Sequence, residues 1–310
     1  MIGRLHISID DAVEAYVKLA GESFSELELP WKEGAFKASN LERAISILVG
    51  ENLPDNPTTG QPAPVSQSER DQLNVQRGKE ITMLDPRPEQ DRCLVFVCAA
   101  FGKIGYIPRF RTYEVTADLM PDCTIWEGIR ATMTAPTLFK PIVILDGPLE
   151  MHFVNGSAGC SNPTKELLDE AAKRFPGHHV ATVVNLGAGY SQRDQLRPDG
   201  LISKLQLIRI PQTLQKIATS CEETHDQLVV RFKDHHDVYF RFNVESGMQR
   251  VGLQEWKRVE EVRTHTRTYV EQPEIQERIR TVVAAMINRP QAVSVKQAAG
   301  LVRVKGWGQT

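Results

Sequence analysis

Two short, almost wholly apolar segments lie either side of a helix start in this chain, and no other feature constrains its fold as much. Leu94-Val95-Phe96-Val97-Cys98-Ala99 and Val180-Ala181-Thr182-Val183-Val184 are rich in β-formers and too short for buried helices. Continuous apolar runs of this length read as strands covered on both faces, the habit of a largely parallel sheet. Between them, Asn162-Pro163 marks a helix N-terminus, with Asn at the cap and Pro at the first helical position. Leu167, Leu168, Ala171 and Phe175 give that helix its buried face, and Pro176-Gly177 ends it. Strand, helix and strand in that order predict an α/β layered domain.

Further elements follow from local signals. Ser8 with Asp11 reads as a cap for a helix over residues 9–20, whose apolar stripe is Val13, Tyr16, Val17 and Ala20. Asn40 is expected to cap a second helix, carrying Leu41, Ala44, Ile45 and Leu48. Thr124 and Glu127 form a capping box for a helix with Ile125, Trp126, Ile129 and Met133, stopped before Pro136. Residues 53–91 are polar and broken by Pro54, Pro57, Gly60, Pro62, Pro64, Pro86 and Pro88, as in a long surface insertion. A strand is expected over Val238–Val244 and helix over most of Leu253–Asn288.

The composition excludes several function classes. A net charge of −2, with both signs interspersed, leaves no electrostatic footprint for nucleic acid. No apolar run reaches the ~18 residues of a membrane-spanning helix, and Met1–Asp11 carries no signal-like core. A cytoplasmic protein, meeting membranes only peripherally, is the expectation. The five cysteines, Cys93, Cys98, Cys123, Cys160 and Cys221, are odd in number and include no C-x-x-C pair, which fits reduced thiols. The neighbouring pairs His178-His179 and His235-His236 point their side chains apart and lack zinc-type spacing, so no metal or other cofactor is expected.

Chemistry concentrates around Asn155. A strand over Met151–Val154 would leave Asn155 at its end, where sites form in open α/β sheets. On its own, Asn155-Gly156 reads as a tight turn. Gly156-Ser157-Ala158-Gly159 falls one glycine short of a G-x-S-x-G nucleophile elbow, and the next helix starts too late to support one. His225, His235 or His236 would have to complete a triad with Ser157, and nothing in the sequence ties them to it. Gly187-Ala188-Gly189 lacks the Lys-Ser/Thr and third glycine of phosphate loops and reads as a sheet-edge turn.

Taken together, Ala131, Thr132, Ala135, Pro136, Phe139 and Lys140, then Phe153-Val154-Asn155-Gly156, Asn162-Pro163 and Asn185-Leu186-Gly187-Ala188-Gly189 resemble the second half of a patatin-like phospholipase domain of the fungal kind. Similarity extends over most of residues 1–285 and is weakest across 53–91. The resemblance implies a partial three-layer α/β/α domain over residues 1–245 with a central, mostly parallel sheet. A helical extension over 246–289 and a tail over 290–310 follow. In that family a serine–aspartate dyad hydrolyses lipid acyl esters, with the serine on a G-x-S-x-G elbow and the aspartate in an Asp-Gly turn. Here the position of that aspartate is occupied by Asn155, and the elbow and glycine-rich oxyanion loop would precede Met1. The expectation is therefore an inactive homologue, with two alternatives: a fragment of an active hydrolase, or a module that binds lipid or protein without catalysis. The implied partners are a lipid acyl ester or membrane surface. Self-association through core faces left without their usual cover is also expected.

Overall fold

The computed structural model describes residues 1–29, 32–53, 66–101, 107–115, 122–134, 138–155, 160–189, 210–244, 246–248, 251–252 and 254–302. The chain divides into two compact units, Met1–Cys160 with Pro198–Thr213, and Ser161–Arg197 with Leu214–Thr310. The class is mixed α/β, as the sequence predicts.

In the first unit, α1 (Ile2–Leu5), α2 (Ile9–Ser23), α3 (Ala38–Glu51), α4 (Gln67–Glu80) and α5 (Ile125–Met133) accompany a four-stranded sheet. Its strands are β1 (Phe96–Phe101), β2 (Arg109–Arg111), β3 (Ile142–Asp146) and β4 (Leu149–Asn155), in the order β2-β1-β4-β3. Leu41, Ile45 and Val49 of α3, Ile125 and Ala131 of α5, and Phe110 and Phe153 of the sheet form the buried interior. The capping box predicted for α5 is present, with Thr124 accepting from the Glu127 amide and Glu127 accepting from the Thr124 amide.

The sheet corrects the expectation of mostly parallel pairing. β1–β2, β1–β4 and β3–β4 are all antiparallel. A buried apolar run reports burial and carries no direction, and a two-residue connection such as Gly147-Pro148 can join only antiparallel neighbours. Gly147 takes φ +57°, a conformation for which the first position of a two-residue hairpin turn favours glycine.

Two helices differ in detail from their sequence signals. Ser8 does cap α2, its hydroxyl accepting from the Asp11 amide at 3.1 Å. The buried face, however, is Ala12, Leu19 and Ser23, while Val13 is 42% and Tyr16 58% exposed. Asn40 is not the cap of α3. The helix starts two residues earlier, and Asn40 sits in its first turn with Nδ2 donating to Ser25 Oγ.

The stretch read as a surface insertion contains α4, begun by a Ser66/Glu69 capping box, and its residues 54–65 lie outside the described residues. Helix α4 lies so close to α3 that a Cβ on Gly50 would collide with the Asn74 backbone, and one on Gly78 with that of Ser46. Beyond α4, Arg4 of α1 donates to the carbonyls of Thr82, Met83 and Leu84. Arg87 binds the buried Asp85 carboxylate through Nε at 2.9 Å and reaches the Arg4 carbonyl at 3.0 Å.

The second unit contains α6 (Thr164–Arg174), β5 (His179–Val180), β6 (Val183–Leu186), α7 (Ile210–Arg231) from Leu214 onward, and β7 (Tyr239–Phe242). It continues with α8 (Val259–Val270), α9 (Pro273–Asn288), β8 (Val293–Ser294) and α10 (Val295–Ala298). β6 and β7 pair in parallel, β5 and β8 antiparallel. The second apolar run is thus split between β5 and β6. Residues after Pro290, read from the sequence as a tail, enter the core of this unit. Val293, Val295 and Ala298 pack with Leu168, Leu228 and Phe232. Among the described residues no helix is long and apolar enough to cross a membrane.

Candidate functional site

Strand β4 ends on Asn155, as the sequence predicts, and this end is held by β1. The register sets Ala99 opposite Asn155, Ala100 opposite Val154 and Phe101 opposite Phe153. Phe153 is fully buried and anchors the strand, with its ring 5.1 Å from Phe110 in an edge-on contact and 5.7 Å from Phe101. On the other side of β4, β3 reaches only as far as Ile142 opposite Phe153. Ser157, with Gly156, Ala158 and Gly159, lies outside the described residues.

Asp146 is the nearest upstream aspartate, and the hairpin keeps it from replacing the missing one. It pairs with Leu149 at the turn. Leu149 is six residues along the strand from Asn155, roughly 20 Å at strand rise.

The segment from Ala131 to Lys140 is organised by a residue that the sequence reading passed over. Arg130 is fully buried. Its Nη2 donates to the Lys140 carbonyl at 2.8 Å and its Nη1 to Thr134 Oγ1, and its guanidinium lies 5.9 Å from the centre of the Phe139 ring. Glu42 Oε1 is 3.4 Å from Nε. Burial pulls Arg130 below the ordinary arginine range, and Glu42 pulls it back. Phe139 packs in turn on Phe24 and Phe36. Ala135 and Pro136 lie outside the described residues. No periodicity marks Arg130, since a lone charge in an apolar helix stripe reads as a surface position.

Within the second unit, the other quoted motifs meet in a buried polar network. Asn162 Oδ1 accepts from the Thr164 amide at 3.2 Å and from Thr164 Oγ1 at 2.7 Å, bracing the first residue of α6 from just outside the helix. The cap position of α6 is nevertheless Pro163, not Asn162, so the expected placing of Asn at the cap and Pro at the first helical position is off by one residue. Asn162 Oδ1 also accepts from Asn185 Nδ2 at 2.7 Å. Asn185 Oδ1 accepts from Arg241 Nη1 at 2.5 Å, and Arg241 Nη2 pairs with Glu222 at 2.7 Å. The glycine turn closes on the same strand. Gly187 N donates to the Phe242 carbonyl at 2.8 Å and Gly189 N to Asn243 Oδ1 at 2.7 Å. Those amides, which a phosphate would need, are already used by the protein, so this is the sheet-edge turn anticipated.

The histidines take separate places in this unit. His225 Nδ1 is 3.1 Å from the Tyr239 hydroxyl. Burial lowers the pKa of His225, and Arg241 adds to that effect. Burial also pushes Tyr239 up to about 12. His178 and His179 line an open cavity of about 480 Å³ with Pro176, Gly177, Arg289 and Pro290. His235 and His236 follow α7, the His235 amide donating to the Phe232 carbonyl. Among the described residues no group of three or more His, Cys, Asp or Glu side chains is placed to hold a metal ion.

Comparison with known proteins agrees with the motif resemblance. The chain is 23% identical to calcium-independent phospholipase A2-gamma of Rattus norvegicus over 250 residues, covering 78% of this chain and 28% of that protein. The Homo sapiens protein of the same name is 25% identical over 256 residues, with the same shares. Patatin-like phospholipase 1 of Plasmodium falciparum (isolate NF54) is 29% identical over 136 residues, 39% of this chain and 20% of that one. No family model matches the chain. The match spans little more than a quarter of the mammalian relatives' length, and the chain resembles patatin-like phospholipases.

Proposed function

We propose that residues 1–310 form a patatin-like lipid acyl hydrolase scaffold that does not itself turn over esters. One observation carries the reading: β4 ends on Asn155, followed by Gly156, where the resemblance locates the dyad aspartate. A carboxylate there would accept the serine proton as the nucleophile attacks the acyl carbon. A carboxamide is not basic near neutral pH and reproduces only the hydrogen-bonding shape. Loss of a general base costs on the order of 10²–10⁴ in rate. A serine contributed by any further stretch of chain would meet the same carboxamide, so the reading does not depend on where the sequence starts.

In this reading the partner class is a lipid acyl ester at a membrane surface, approached from the aqueous side. Residues 1–245 carry the patatin-like part and 246–289 its helical extension. No metal or organic cofactor enters the chemistry. The half-exposed α2 face, Val13 and Tyr16, supports self-association between copies of the chain.

The test is hydrolysis of a fluorogenic acyl ester and of phospholipid vesicles by the purified chain, its Asn155→Asp variant and its Ser157→Ala variant. The expected outcome is no turnover by any of the three. Turnover by the unsubstituted chain that Ser157→Ala abolishes would overturn the reading and make Ser157 a nucleophile. Peptide mass spectrometry across Asn155 runs alongside, because deamidation at Asn155-Gly156 would itself restore a carboxylate.

A further inference from the structure

The five cysteines read from the sequence as unconnected reduced thiols, yet two of them meet. Cys98 is buried on β1 and Cys160 is half-buried, and their sulfurs lie 3.5 Å apart. Arg109 stands opposite Cys98 across the β1–β2 ladder. The next position on β1, Ala99, is the one that pairs with Asn155. Residues 155 and 160 are therefore held against consecutive positions of the same strand, one by backbone pairing and the other by a sulfur contact.

We propose that Cys98 and Cys160 form a dithiol–disulfide site, whose oxidation by a low-molecular-weight disulfide fastens the chain just beyond Asn155 to β1. The site is separate from the catalytic reading and stands whether or not the chain hydrolyses esters.

The two thiols are unequal in the way the exchange requires. The sulfur–sulfur hydrogen bond with Cys98 holds Cys160 below the ordinary thiol range, with help from the Arg109 guanidinium. The same bond, with burial, pushes Cys98 well above it. Cys160 is also the more accessible of the two. It attacks first, as a thiolate, on one sulfur of oxidised glutathione. The glutathione S–S bond breaks, a Cys160–glutathione mixed disulfide forms, and the departing glutathione thiolate takes up the proton released by Cys160. Cys98 then loses its proton and attacks Cys160 Sγ, displacing the second glutathione thiol. Two protein thiols are oxidised to one disulfide, and one oxidised glutathione is reduced to two glutathiones. The sulfurs must close by about 1.5 Å to reach disulfide bonding distance, which side-chain torsions can supply.

The experiment equilibrates the native full chain in a series of reduced and oxidised glutathione buffers. Acid quenching, alkylation and peptide mapping by mass spectrometry follow. The expected result is loss of two of the five alkylatable thiols and a Cys98–Cys160 linked peptide, with intact mass lower by two hydrogens. In Cys98→Ser, a single glutathione adduct should collect on Cys160. In Cys160→Ser, Cys98 should stay reduced. A wild-type chain that remains unlinked across the series, or that links a different pair of cysteines, overturns the proposal. That mapping on the wild type decides the matter even if a serine variant fails to fold.

Discussion

Arg130 is fully buried and the Arg241 side chain is 8% exposed, one in each compact unit, and their surroundings differ instructively. Arg130 is met mainly by neutral acceptors, the Lys140 carbonyl and Thr134 hydroxyl, with Glu42 at 3.4 Å. Arg241 is hydrogen-bonded directly to a carboxylate, Glu222 at 2.7 Å, and to the Asn185 carboxamide. The first arginine ties a helix end to the connection leading into β3, with its counter-charge at a longer distance. The second is the charged centre of a network in which two asparagines are relays. Two of the residues that carry the family resemblance, Asn162 and Asn185, are in this light structural.

The largest expected effect separates shape from charge. Arg130→Ala removes a buried side chain and orphans the acceptors it satisfied, and it should cost about 4 kcal/mol of stability. Arg130→Met keeps most of the volume and should recover part of that loss in denaturant unfolding. If the two variants were equally damaging, the charge of Arg130 would matter as much as that of Arg241.

A smaller effect sharpens the contrast from the acidic side. Glu222→Ala leaves the Arg241 guanidinium without its counter-charge and should cost about 2 kcal/mol, reduced because Glu222 is a third exposed. Glu42→Ala, at a longer pair whose arginine keeps its neutral acceptors, should cost less, about 1 kcal/mol. Hydrogen exchange at β7 and α5 amides reads the two losses separately, and reversed magnitudes would break the comparison.

The smallest effect concerns acid. Asp85 is held at about 2 against an ordinary 3.8, first by the hydrogen bond from the Arg87 side chain and further by Arg4. Its folded pKa is depressed, so the stability it contributes is present above about pH 4 and is lost as pH falls towards 2. In Asp85→Asn, the stability-against-pH curve should flatten across that window. An unchanged slope would mean that the Arg4–Asp85–Arg87 cluster does not hold α1.

Much of the helical scaffold was legible, because caps are local. Thr124 with Glu127 and Ser8 with the Asp11 amide do what their side chains suggest, and Asn162 bonds Thr164 at the start of α6 although Pro163 takes the cap position. The end of β4 at Asn155 was equally readable. Three features were hidden for physical reasons. The antiparallel order of the sheet was not encoded in apolar runs that report only burial. Helix α4 has almost no apolar stripe, and its contact with α3 rests on Gly50 and Gly78 letting two backbones approach. Its one readable signal was the Ser66/Glu69 box. The inward face of α2 is built from Ala12, Leu19 and Ser23, a stripe with a single large apolar side chain, and a search for repeated large apolar residues settles instead on the neighbouring stripe of Val13 and Tyr16.

The β3–β4 hairpin also sets an order of assembly. Its strands are joined by two residues, so their pairing closes a very short loop and can zip up on the microsecond scale from Asp146 and Leu149 outward. That zipper stops at Ile142 and Phe153. Val154 and Asn155 must wait for β1, whose residues lie more than fifty positions away in the chain, and the entropy of closing that long loop makes the step slower. The residue on which the functional reading turns is thus among the last of its strand to be fixed, and in any partial opening of the sheet it would be among the first released.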